Sequence, residues 1–391
     1  MLLNPEDLVL NIILAGGGTG GHIYPAIAVA DTIRKHDKYS KILFIATKNG
    51  MEKSLIEKAG YQTYHIEMSG LQRSLSLKNI KTAICFITSQ IEAKKLLRDF
   101  QPDVVFATGN YLSYPLIHTA AKMGIPTAIH ESNAIPGKAV KMLEKDADRI
   151  FINFPSTADF FTDKEKVMCV GNPMRGEAVS LSKQQARREL DIPGEYEYVL
   201  LSFGGSLGAQ TINNNILSFM ESFSAKHPEV YHIHATGKGG HDAFMQKFRA
   251  KGLDSFRNLC PAEYIYDMPK WEAAADAVIC RSGAMTVSEL ALMGKACIFI
   301  PSPNVTANHQ FKNAEGLAKA DAAMLIEEKD LTPKALELAA SDILFTDKGK
   351  LFSENIRRFA QPSAKELIYR ELLRLSNRDL LTLVAEEEVN E

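Results

Sequence analysis

Short apolar runs alternate along the chain with longer segments in which apolar residues recur at helical spacing. The short runs have the length and composition of buried strands, and the longer segments at 26–34, 51–58 and 91–100 predict helices between them. This alternation is typical of βαβ units and therefore predicts parallel sheets. The predicted strands are 9–14, 42–46, 104–107, 127–129 and 150–153, followed by 198–203, 230–235, 277–280, 296–300 and 323–326.

The same arrangement occurs in both halves of the chain. A strand runs into a glycine-rich turn at 13–22 and again at 201–209, and Gly and Pro residues at 170–173 mark a hinge between the halves. At about 150 residues per domain, a chain of 391 residues also favours two domains. We therefore predict two doubly wound α/β domains and expect a ligand in the cleft between them.

Composition narrows the class of protein. Hydrophobic residues make up 46% and charged residues 24% of the chain, which is typical of globular proteins. A formal charge of -2 provides no overall field for nucleic acid, so no nucleic-acid partner is expected. The five cysteines are scattered, which fits a reducing cytoplasm. No run approaches the roughly 18 to 20 apolar residues of a membrane-spanning helix, so any membrane contact is expected at the surface.

The first glycine loop leaves two nucleotide-binding classes open. Gly16, Gly18 and Gly21 match G-x-G-x-x-G between a predicted strand and a predicted helix, as in nicotinamide-dependent dehydrogenases. The NAD form also needs an acidic residue near the end of the second strand, and this strand ends in IATK at 45–48. Lys48 keeps an NADP-dependent dehydrogenase as an alternative.

His22 closes the same loop, and the following helix is predicted to begin near Pro25, a residue suited to a first helical turn. The positive end of a helix dipole opposes protonation of a nearby imidazole, which favours a neutral histidine. A neutral imidazole accepts a proton, so His22 is a candidate general base for an incoming hydroxyl. Such help is typically worth about 10² to 10⁴ in rate.

Five separated motifs carry a family resemblance. They are GGTGGH at 17–22, HESN at 130–133, VGNPMR at 170–175, GGSLGA at 204–209 and CRSGAMTVSE at 280–289. Together they closely resemble the MurG family of peptidoglycan glycosyltransferases, which add N-acetylglucosamine to lipid I. The resemblance implies a GT-B fold of two Rossmann-like domains facing across a cleft. It also implies UDP-N-acetylglucosamine as donor, and lipid II and UDP as products. The enzyme would be peripheral at the cytoplasmic face of the inner membrane, with no cofactor or metal.

The resemblance also implies where the two domains lie in the chain. It implies an acceptor-side and membrane-side domain at 1–172 and a UDP-sugar domain at 173–351. A helical chain end at about 352–391 would cross back to complete the first domain. A nucleotide-sugar 2-epimerase shares this architecture and is the related alternative, since it uses the same donor without a lipid acceptor.

Most donor contacts are implied for the second domain. Ser206 lies in a glycine-flanked turn before a helix, whose N–H groups favour a diphosphate, and Arg175 offers a forked donor set for phosphate oxygens. The resemblance assigns the ribose hydroxyls to Glu289 and the uracil to the backbone of Ile265. The further residues implied to line the uridine and sugar are Ala284, Met285, Thr286, Val287, Ser288 and Gln310, with Thr19, Gly20, Gly21 and Asn133 from the first domain.

Two titratable residues are candidates for the catalytic base. His22 is the first candidate to take the proton of the 4-hydroxyl of the muramyl sugar, and Glu131, next to His130, is the second. Attack opposite the departing UDP would invert the donor linkage. Asp146 and Asp148 form D-x-D, with which some glycosyltransferases hold a divalent ion, but their position between a helix and a strand favours structural capping.

A lipid-linked acceptor requires a surface of the first domain that approaches the membrane. Segment 71–81 mixes apolar and basic residues, and each basic residue near anionic headgroups contributes about 1 kcal/mol. Apolar residues at helical spacing are equally consistent with core packing. The other members of this candidate surface are Ile84, Phe86, Ile87, Lys94, Lys95 and Arg98.

Three residues depart from the family pattern. Asn110 and Tyr114 replace glycines of the G-G-Y-x-S-x-P segment, and their added side chains are expected to alter the fit of the acceptor. Ser132 stands where the family's H-E-Q-N pattern has glutamine, which changes one hydrogen bond near Asn133.

Overall fold

The chain folds into two compact units. Unit 1 comprises residues 1–175 and 361–391, and unit 2 comprises residues 176–360. Among the helices that can be described, none is long and apolar enough to cross a membrane. The computed structural model describes residues 9–48, 50–67, 78–175, 181–205 and 207–377, with the backbone alone at 78–84.

Unit 1 is built on a parallel sheet. Its strands are β1 Asn11–Ala15, β2 Lys41–Ala46, β3 Gln62–His65, β4 Val104–Ala107, β5 Thr127–Glu131, β6 Arg149–Ile152 and β7 Val167–Cys169. Within the described residues their order is β3-β2-β1-β4-β5-β6-β7, so the direction of strand progression reverses between β1 and β4. At that point Ile12 lies opposite Val104 in register, and both side chains are fully buried.

Helices cover both faces of this sheet. They are α1 Gly20–His36, α2 Met51–Lys58, α3 Lys78–Phe100, α4 Ser113–Lys122 and α5 Lys138–Met142. Successive residues of β1 belong to different apolar clusters, because Ile12 packs with residues of α1 and Ile13 packs with residues of α3 and α4. Burial on both faces explains why β1 is a continuous apolar run.

The first helix begins earlier than the sequence predicts. Its first residue is Gly20 and its N-cap is Thr19, so the predicted start near Pro25 is wrong. Pro25 lies within the helix, where it lacks the N–H that would bond the carbonyl of Gly21. Proline suits a first turn but does not define one, and the extended backbone of Thr19 sets the start here. His22 is therefore part of the first turn.

Unit 2 repeats the topology. Its strands are β8 Tyr198–Phe203, β9 Val230–Ala235, β10 Leu259–Ala262, β11 Ala277–Cys280, β12 Ala296–Phe299 and β13 Met324–Leu325. Its helices are α6 Lys183–Glu189, α7 Gln210–Ser222, α8 His241–Ala250, α9 Met268–Ala274, α10 Ala284–Met293, α11 His309–Lys319, α12 Pro333–Phe345 and α13 Lys348–Ile356. The described strands are parallel, in the order β10-β9-β8-β11-β12-β13. Both units contain the Rossmann order 3-2-1-4-5-6, which confirms the predicted doubly wound α/β class.

The strands β3, β7 and β10 are not predicted by the apolar pattern of the sequence, and each of them lies at an edge of its sheet. The side chains of β3, with the sequence QTYH, are exposed or half-buried. An edge strand pairs on one side only and is less covered, so it does not need the continuous apolar run by which central strands are recognised.

The chain end returns to unit 1 later than the sequence predicts. The expected position is about residue 352. Phe352 of α13 is buried in the core of unit 2. The boundary instead lies at residue 361, and the last helix, α14 Ala364–Leu375, packs on α1. There the rings of His36 and Tyr369 stack with 4.9 Å between their centroids.

A buried hydrogen-bonded chain runs through the interior of unit 2. The Asn213 amide donates to the Thr236 carbonyl at 2.8 Å, so its oxygen accepts from Nε2 of His234 at 3.1 Å. Nδ1 of His234 then accepts from the Ser202 hydroxyl at 2.9 Å, and Nε2 of His232 donates to that hydroxyl at 2.8 Å. Burial lowers the pKa of His234 to about 3 and the pKa of His232 well below its usual range, so both rings are neutral.

Replacing Ser202 with alanine is expected to lower the free energy of unfolding of unit 2 by about 2 to 4 kcal/mol, because the buried rings of His232 and His234 lose the hydroxyl that lies between them. The control Ser218→Ala removes a hydroxyl that bonds the Asn214 carbonyl on an exposed part of α7, and a change below about 0.5 kcal/mol is expected. Urea unfolding followed by the fluorescence of Trp271, the one tryptophan of the chain, measures both. Equal effects of the two variants would contradict the prediction.

Candidate functional site

The loops after β1 and β4 meet where the strand order of unit 1 reverses, which is the edge at which open parallel sheets bind ligands. Nδ1 of His22 lies 2.7 Å from the carbonyl oxygen of Thr108, and the Thr108 hydroxyl donates to the His22 carbonyl at 2.6 Å. A carbonyl oxygen can only accept, so Nδ1 carries the proton of the neutral ring. This leaves Nε2 as the proton-accepting nitrogen of His22.

The first glycine loop is closely packed and leads directly into α1. Gly18 has a φ of +79°, in the left-handed region that favours glycine, and a Cβ on Gly16 would lie 2.6 Å from a main-chain carbonyl oxygen. Thr19 is exposed, and Gly20 and Gly21 begin the helix. The first N–H groups of a helix have no carbonyl partner within it, so this end can bind an anionic or polar group.

Glu131 and Asn133 form a closed turn after β5. The Glu131 side chain is buried, and its Oε1 accepts from the backbone N–H and the side-chain amide of Asn133 at 2.9 and 3.0 Å. Its Oε2 accepts from the N–H of Gly137 at 2.8 Å. Both carboxylate oxygens therefore hold the turn that carries Asn133. Beside it, burial lowers the pKa of His130 to about 4, and the ring donates to the Gly171 carbonyl at 2.9 Å.

Arg175, at the end of the first part of unit 1, contacts α1. Its Nε donates to Oδ2 of Asp31 at 3.1 Å, and Oδ1 of the same carboxylate accepts from the hydroxyl of Tyr61 at 2.7 Å. The Arg175 side chain is about half-exposed, and the contact uses one of the five N–H donors of the guanidinium.

The second glycine loop follows β8 at the strand reversal of unit 2. Ser206 lies outside the described residues, so its assigned phosphate contact stays a prediction. Gly208 has a φ of +76°, and a Cβ there would lie 2.1 Å from the carbonyl oxygen of Thr236. Gly205 also has a positive φ, +96°, but open space surrounds its Cβ position. The loop therefore requires glycine at Gly208 for steric reasons as well as for backbone conformation.

Helix α10 begins beside this loop, directly after β11. Its first intrahelical bond is donated by Val287 to the Gly283 carbonyl at 2.9 Å, so the N–H groups of Met285 and Thr286 precede the helical ladder. Among the predicted donor residues here, Ala284 and Val287 are buried, and Met285, Thr286, Ser288 and Glu289 are half-buried. The helix end at the reversal of strand order favours an anion.

Glu289 is the acidic residue of this helix. Burial raises the pKa of Glu289 to about 7. Burial, and next the neighbouring Glu289, raise the pKa of Glu272 of α9 well above its usual range. Both shifts favour the protonated carboxyl groups, because burial and a neighbouring like charge each disfavour the charged form.

Two further predicted residues lie in unit 2. Gln310 begins α11 with its neighbour His309, and its side-chain oxygen accepts from the N–H of Ser302 at 2.9 Å. Its backbone carbonyl accepts from the hydroxyl of Ser282 at 2.8 Å, which connects α11 to the loop after β11. Ile265 is buried just before α9.

The D-x-D aspartates are engaged by protein donors. Asp146 accepts from Nδ1 of His118 at 2.8 Å, and Asp148 accepts from the N–H of Thr127 at 2.8 Å. No group of three or more metal-ligating side chains occurs among the residues that the structure describes.

The candidate membrane surface is described in part. Residues 71–77 and the side chains of 78–84, including Ile84, lie outside the described part of the chain. Ile87 is 61% exposed, so the core interpretation is wrong for this residue, and Ile91, one turn further along α3, is 65% exposed. Phe86 is half-buried and contacts Tyr114 with 5.1 Å between ring centroids. Further exposed residues on the same helix are Lys94, Lys95 and Arg98.

Thr108, Glu52 and Asn110 support the first glycine loop and were not assigned to the site from the sequence. Thr108 orients His22, Glu52 accepts from the N–H of Gly18 at 3.4 Å, and Asn110 donates to the Gly17 carbonyl at 3.1 Å. Glu52 belongs to no motif, so nothing in the sequence signals it. Asn110 stands where the family pattern has glycine, and a glycine at that position indicates a backbone with positive φ. The φ of Asn110 is +116°.

Two doubly wound units, each with a glycine loop and a helix end where the strand order reverses, have the architecture of GT-B glycosyltransferases. Residues 12–152 match the model of the glycosyltransferase family 28 N-terminal domain, and residues 199–368 match that of the glycosyltransferase family 28 C-terminal domain. The protein belongs to glycosyltransferase family 28 and is a glycosyltransferase.

Its relatives carry a more specific name. The chain is 38% identical over 362 residues to the UDP-N-acetylglucosamine--N-acetylmuramyl-(pentapeptide) pyrophosphoryl-undecaprenol N-acetylglucosamine transferase of Acetivibrio thermocellus, covering 92% of this chain and 96% of that one. It is equally similar, at 38% over 364 residues, to the enzyme of the same name from Halalkalibacterium halodurans, covering 92% and 98%.

Solved structures agree with the fold. A crystal structure of Acinetobacter baumannii MurG matches with a TM-score of 0.74 and 26% identity, covering 93% of this chain and 99% of that one. A UDP-GlcNAc 2-epimerase from Neisseria meningitidis matches with a TM-score of 0.69 and 14% identity, covering 93% and 100%. The second likeness concerns the fold alone.

Gly208→Ala is expected to destabilise unit 2 by at least about 2 kcal/mol more than Gly205→Ala. Both substitutions put alanine at a positive φ, which costs about 1 to 2 kcal/mol, but only Gly208→Ala forces a Cβ against the Thr236 carbonyl. Urea unfolding monitored by Trp271 fluorescence gives the difference. Equal destabilisation would mean that the loop moves away from Thr236 at no cost.

Proposed function

We propose that this protein transfers N-acetylglucosamine from UDP-N-acetylglucosamine to the 4-hydroxyl of the muramyl sugar of lipid I, giving lipid II and UDP for peptidoglycan synthesis. The observation that carries the proposal is 38% identity, over 92% of the chain, to transferases named for this reaction. Membership of glycosyltransferase family 28 in both halves of the chain supports it.

Neither alternative has comparable support. The likeness to 2-epimerases is one of fold, at 14% identity. A dehydrogenase would need groups for the adenosine ribose or its phosphate at the end of β2. There, the N–H and hydroxyl of Thr47 are instead both bonded to Glu52, at 3.0 and 2.5 Å.

In the proposal, unit 2 holds the UDP part of the donor. The N–H groups at the start of α10 and Ser206, together with Arg175, which precedes unit 2 in the chain, would neutralise the diphosphate. Glu289 would accept from the ribose hydroxyls, and its ionised form is the better acceptor. Because burial raises the pKa of Glu289 to about 7, this contact would strengthen as the pH rises through neutrality. Ile265, Ala284, Met285, Thr286, Val287, Ser288 and Gln310 would complete the donor site.

Unit 1 would supply the groups that act on the sugars. Nε2 of His22 takes the proton of the 4-hydroxyl while that oxygen forms a bond to C1 of N-acetylglucosamine. The bond from C1 to the diphosphate oxygen breaks on the opposite face, and UDP leaves with the electron pair, which converts an α-linkage into a β1,4 linkage. The hydrogen bond between His22 Nδ1 and Thr108 supports this role, whereas both oxygens of Glu131 are occupied by N–H donors.

The same proposal places the acceptor's lipid near α3, with the enzyme peripheral at the cytoplasmic face of the inner membrane. The exposed side chains of Ile87 and Ile91 and the exposed Lys94 border a groove of about 320 Å³, which Lys122 of α4 also lines. Apolar residues flanked by lysines suit an interface with anionic lipid, because the apolar groups leave water while the ammonium groups meet headgroups.

His22→Ala is expected to lower kcat for disaccharide formation by about 10² to 10⁴, while the Kd for UDP changes less than about twofold, because the base acts on the acceptor hydroxyl. The assay uses labelled UDP-N-acetylglucosamine and a lipid I analogue, with UDP binding measured by calorimetry. His36→Ala, at the other end of α1, is the matched control and should retain the wild-type rate.

Each outcome of this assay discriminates between functions. A disaccharide product supports the proposal, and a free epimer would replace it with the 2-epimerase. No product with any sugar acceptor, together with NADP binding, would favour the dehydrogenase. Activity is expected to be unchanged in the presence of a chelator. A loss of activity that magnesium restores would instead favour a divalent ion held by the D-x-D residues.

The double variant Ile87→Glu/Ile91→Glu is expected to weaken binding to vesicles containing phosphatidylglycerol by at least about tenfold, because two exposed apolar side chains are replaced by anionic ones. Leu338→Glu, at a leucine of unit 2 that is 59% exposed, is the control and should bind like the wild type. Vesicle co-sedimentation measures both variants. Equal binding by the double variant would exclude this face.

A further inference from the structure

A single peptide group of the first glycine loop is held from both sides. The carbonyl oxygen of Gly17 accepts from Nδ2 of Asn110 at 3.1 Å. The N–H of the next residue, Gly18, donates to Oε2 of Glu52 at 3.4 Å. These two atoms belong to the same planar peptide unit, so the two side chains together fix the orientation of that plane.

Glu52 is well suited to this contact because it is a buried, ionised acceptor. Its residue is 1% exposed, and Oε1 accepts from the N–H and the hydroxyl of Thr47. Burial acts to raise the pKa of Glu52, but hydrogen bonds from Thr47 and from the N–H groups of Glu52 and Gly18 outweigh it and lower that pKa. A carboxylate bonded in this way stays charged at neutral pH and keeps accepting.

Asn110 holds the other end and is itself held. Its Oδ1 accepts from the N–H of Leu112 at 2.6 Å, which turns Nδ2 towards Gly17. The added side chain thus turns back onto the glycine loop. Its φ of +116° is one that glycine adopts freely, so the asparagine occupies a backbone conformation that suits the glycine of the family pattern, and it adds a donor.

The orientation of this peptide matters because glycine by itself sets few limits on φ and ψ. Gly16, Gly17 and Gly18 have no side chains to limit rotation of their peptide planes. The next residue, Thr19, caps α1, and Gly20 and Gly21 begin it. The family resemblance implies that these three residues contact the donor sugar. A rotation of the Gly17–Gly18 plane would change the direction in which these residues leave the loop.

We propose that Glu52 and Asn110 are positioning residues, which fix the Gly17–Gly18 peptide so that the start of α1 meets the donor sugar in one orientation. This role rests on the proposed glycosyl transfer. Neither residue touches substrate in it. The contribution is preorganisation, so it concerns the rate of transfer and not the affinity for UDP, which unit 2 would bind.

Glu52→Gln tests the first contact with the same number of atoms. If the glutamine oxygen accepts from Thr47, its NH₂ group faces the N–H of Gly18, and two donors cannot bond. We expect kcat for disaccharide formation to fall by about 10-fold to 100-fold, with the Kd for UDP within about twofold of the wild type. Glu57→Gln, the same change at an exposed position of α2, is the control and should leave both unchanged.

Asn110→Gly tests the second contact in a variant that is expected to fold, because glycine accepts the positive φ. We expect kcat to fall by about threefold to tenfold, less than in Glu52→Gln, because the lost bond joins two neutral groups. The double variant should lose less than the product of the two single losses, because both side chains act on one group. Wild-type kcat in both single variants, or losses that multiply, would overturn the proposal.

A readout without turnover separates this inference from the proposed function. In protein labelled with ¹⁵N-glycine, the Gly18 amide proton, bonded to a carboxylate, should shift upfield in Glu52→Gln and stay in place in Glu57→Gln. An unmoved Gly18 resonance would contradict the contact even if the enzyme is active. If the wild type forms no disaccharide, the proposed function fails, and the Gly18 shift still decides whether Glu52 holds the loop.

Discussion

The reversal of strand order in each sheet is the constraint on which the rest of the structure depends. The segments that follow β1 and β4 run to opposite faces of their sheet, and so do those that follow β8 and β11. A gap therefore opens at the carboxyl edge between the two strands of each pair. The glycine loops, Thr108 and the start of α10 all lie at these two gaps. Each gap exposes the N–H groups of a helix end, so both units present amide donors where a phosphate or a sugar hydroxyl can approach.

Buried carboxyl groups differ between the two units in their hydrogen bonds and in the direction of their pKa shifts. In unit 1, both oxygens of Glu131 and both oxygens of Glu52 accept hydrogen bonds from N–H or hydroxyl groups, so each carboxylate serves as a fixed anchor for a loop. In unit 2, burial raises the pKa of Glu289, and burial with the nearby Glu289 raises that of Glu272. A carboxylate that already accepts hydrogen bonds within the protein stabilises the fold. A buried carboxyl group without such donors is stabilised most by a ligand that brings hydroxyl donors.

The central strands could be predicted because they are buried on both faces and therefore continuously apolar, as in β4 and β11. The edge strand β3 could not, because its partly exposed QTYH sequence has no such run. The start of α1 was misplaced because Pro25 is a local signal, while the extended backbone of Thr19 sets the first turn. The return of the chain at residue 361 depends on Phe352 packing in unit 2, a contact between distant residues.

The sequence by itself determined the duplicated doubly wound architecture and the motifs that identify the family, because apolar periodicity and glycine spacing are local properties of the chain. It also identified His22 as a candidate base. The neutral ring of a histidine has two tautomers, which differ in the nitrogen that accepts a proton. Only the tertiary structure chose between them, through the Thr108 carbonyl 86 positions away, and only it engaged Glu131 with its turn and brought Glu52 and Asn110 to one peptide. These outcomes depend on hydrogen bonds between segments far apart in the chain, and a hydrogen-bond partner is fixed by distance and direction in space, which no local pattern encodes.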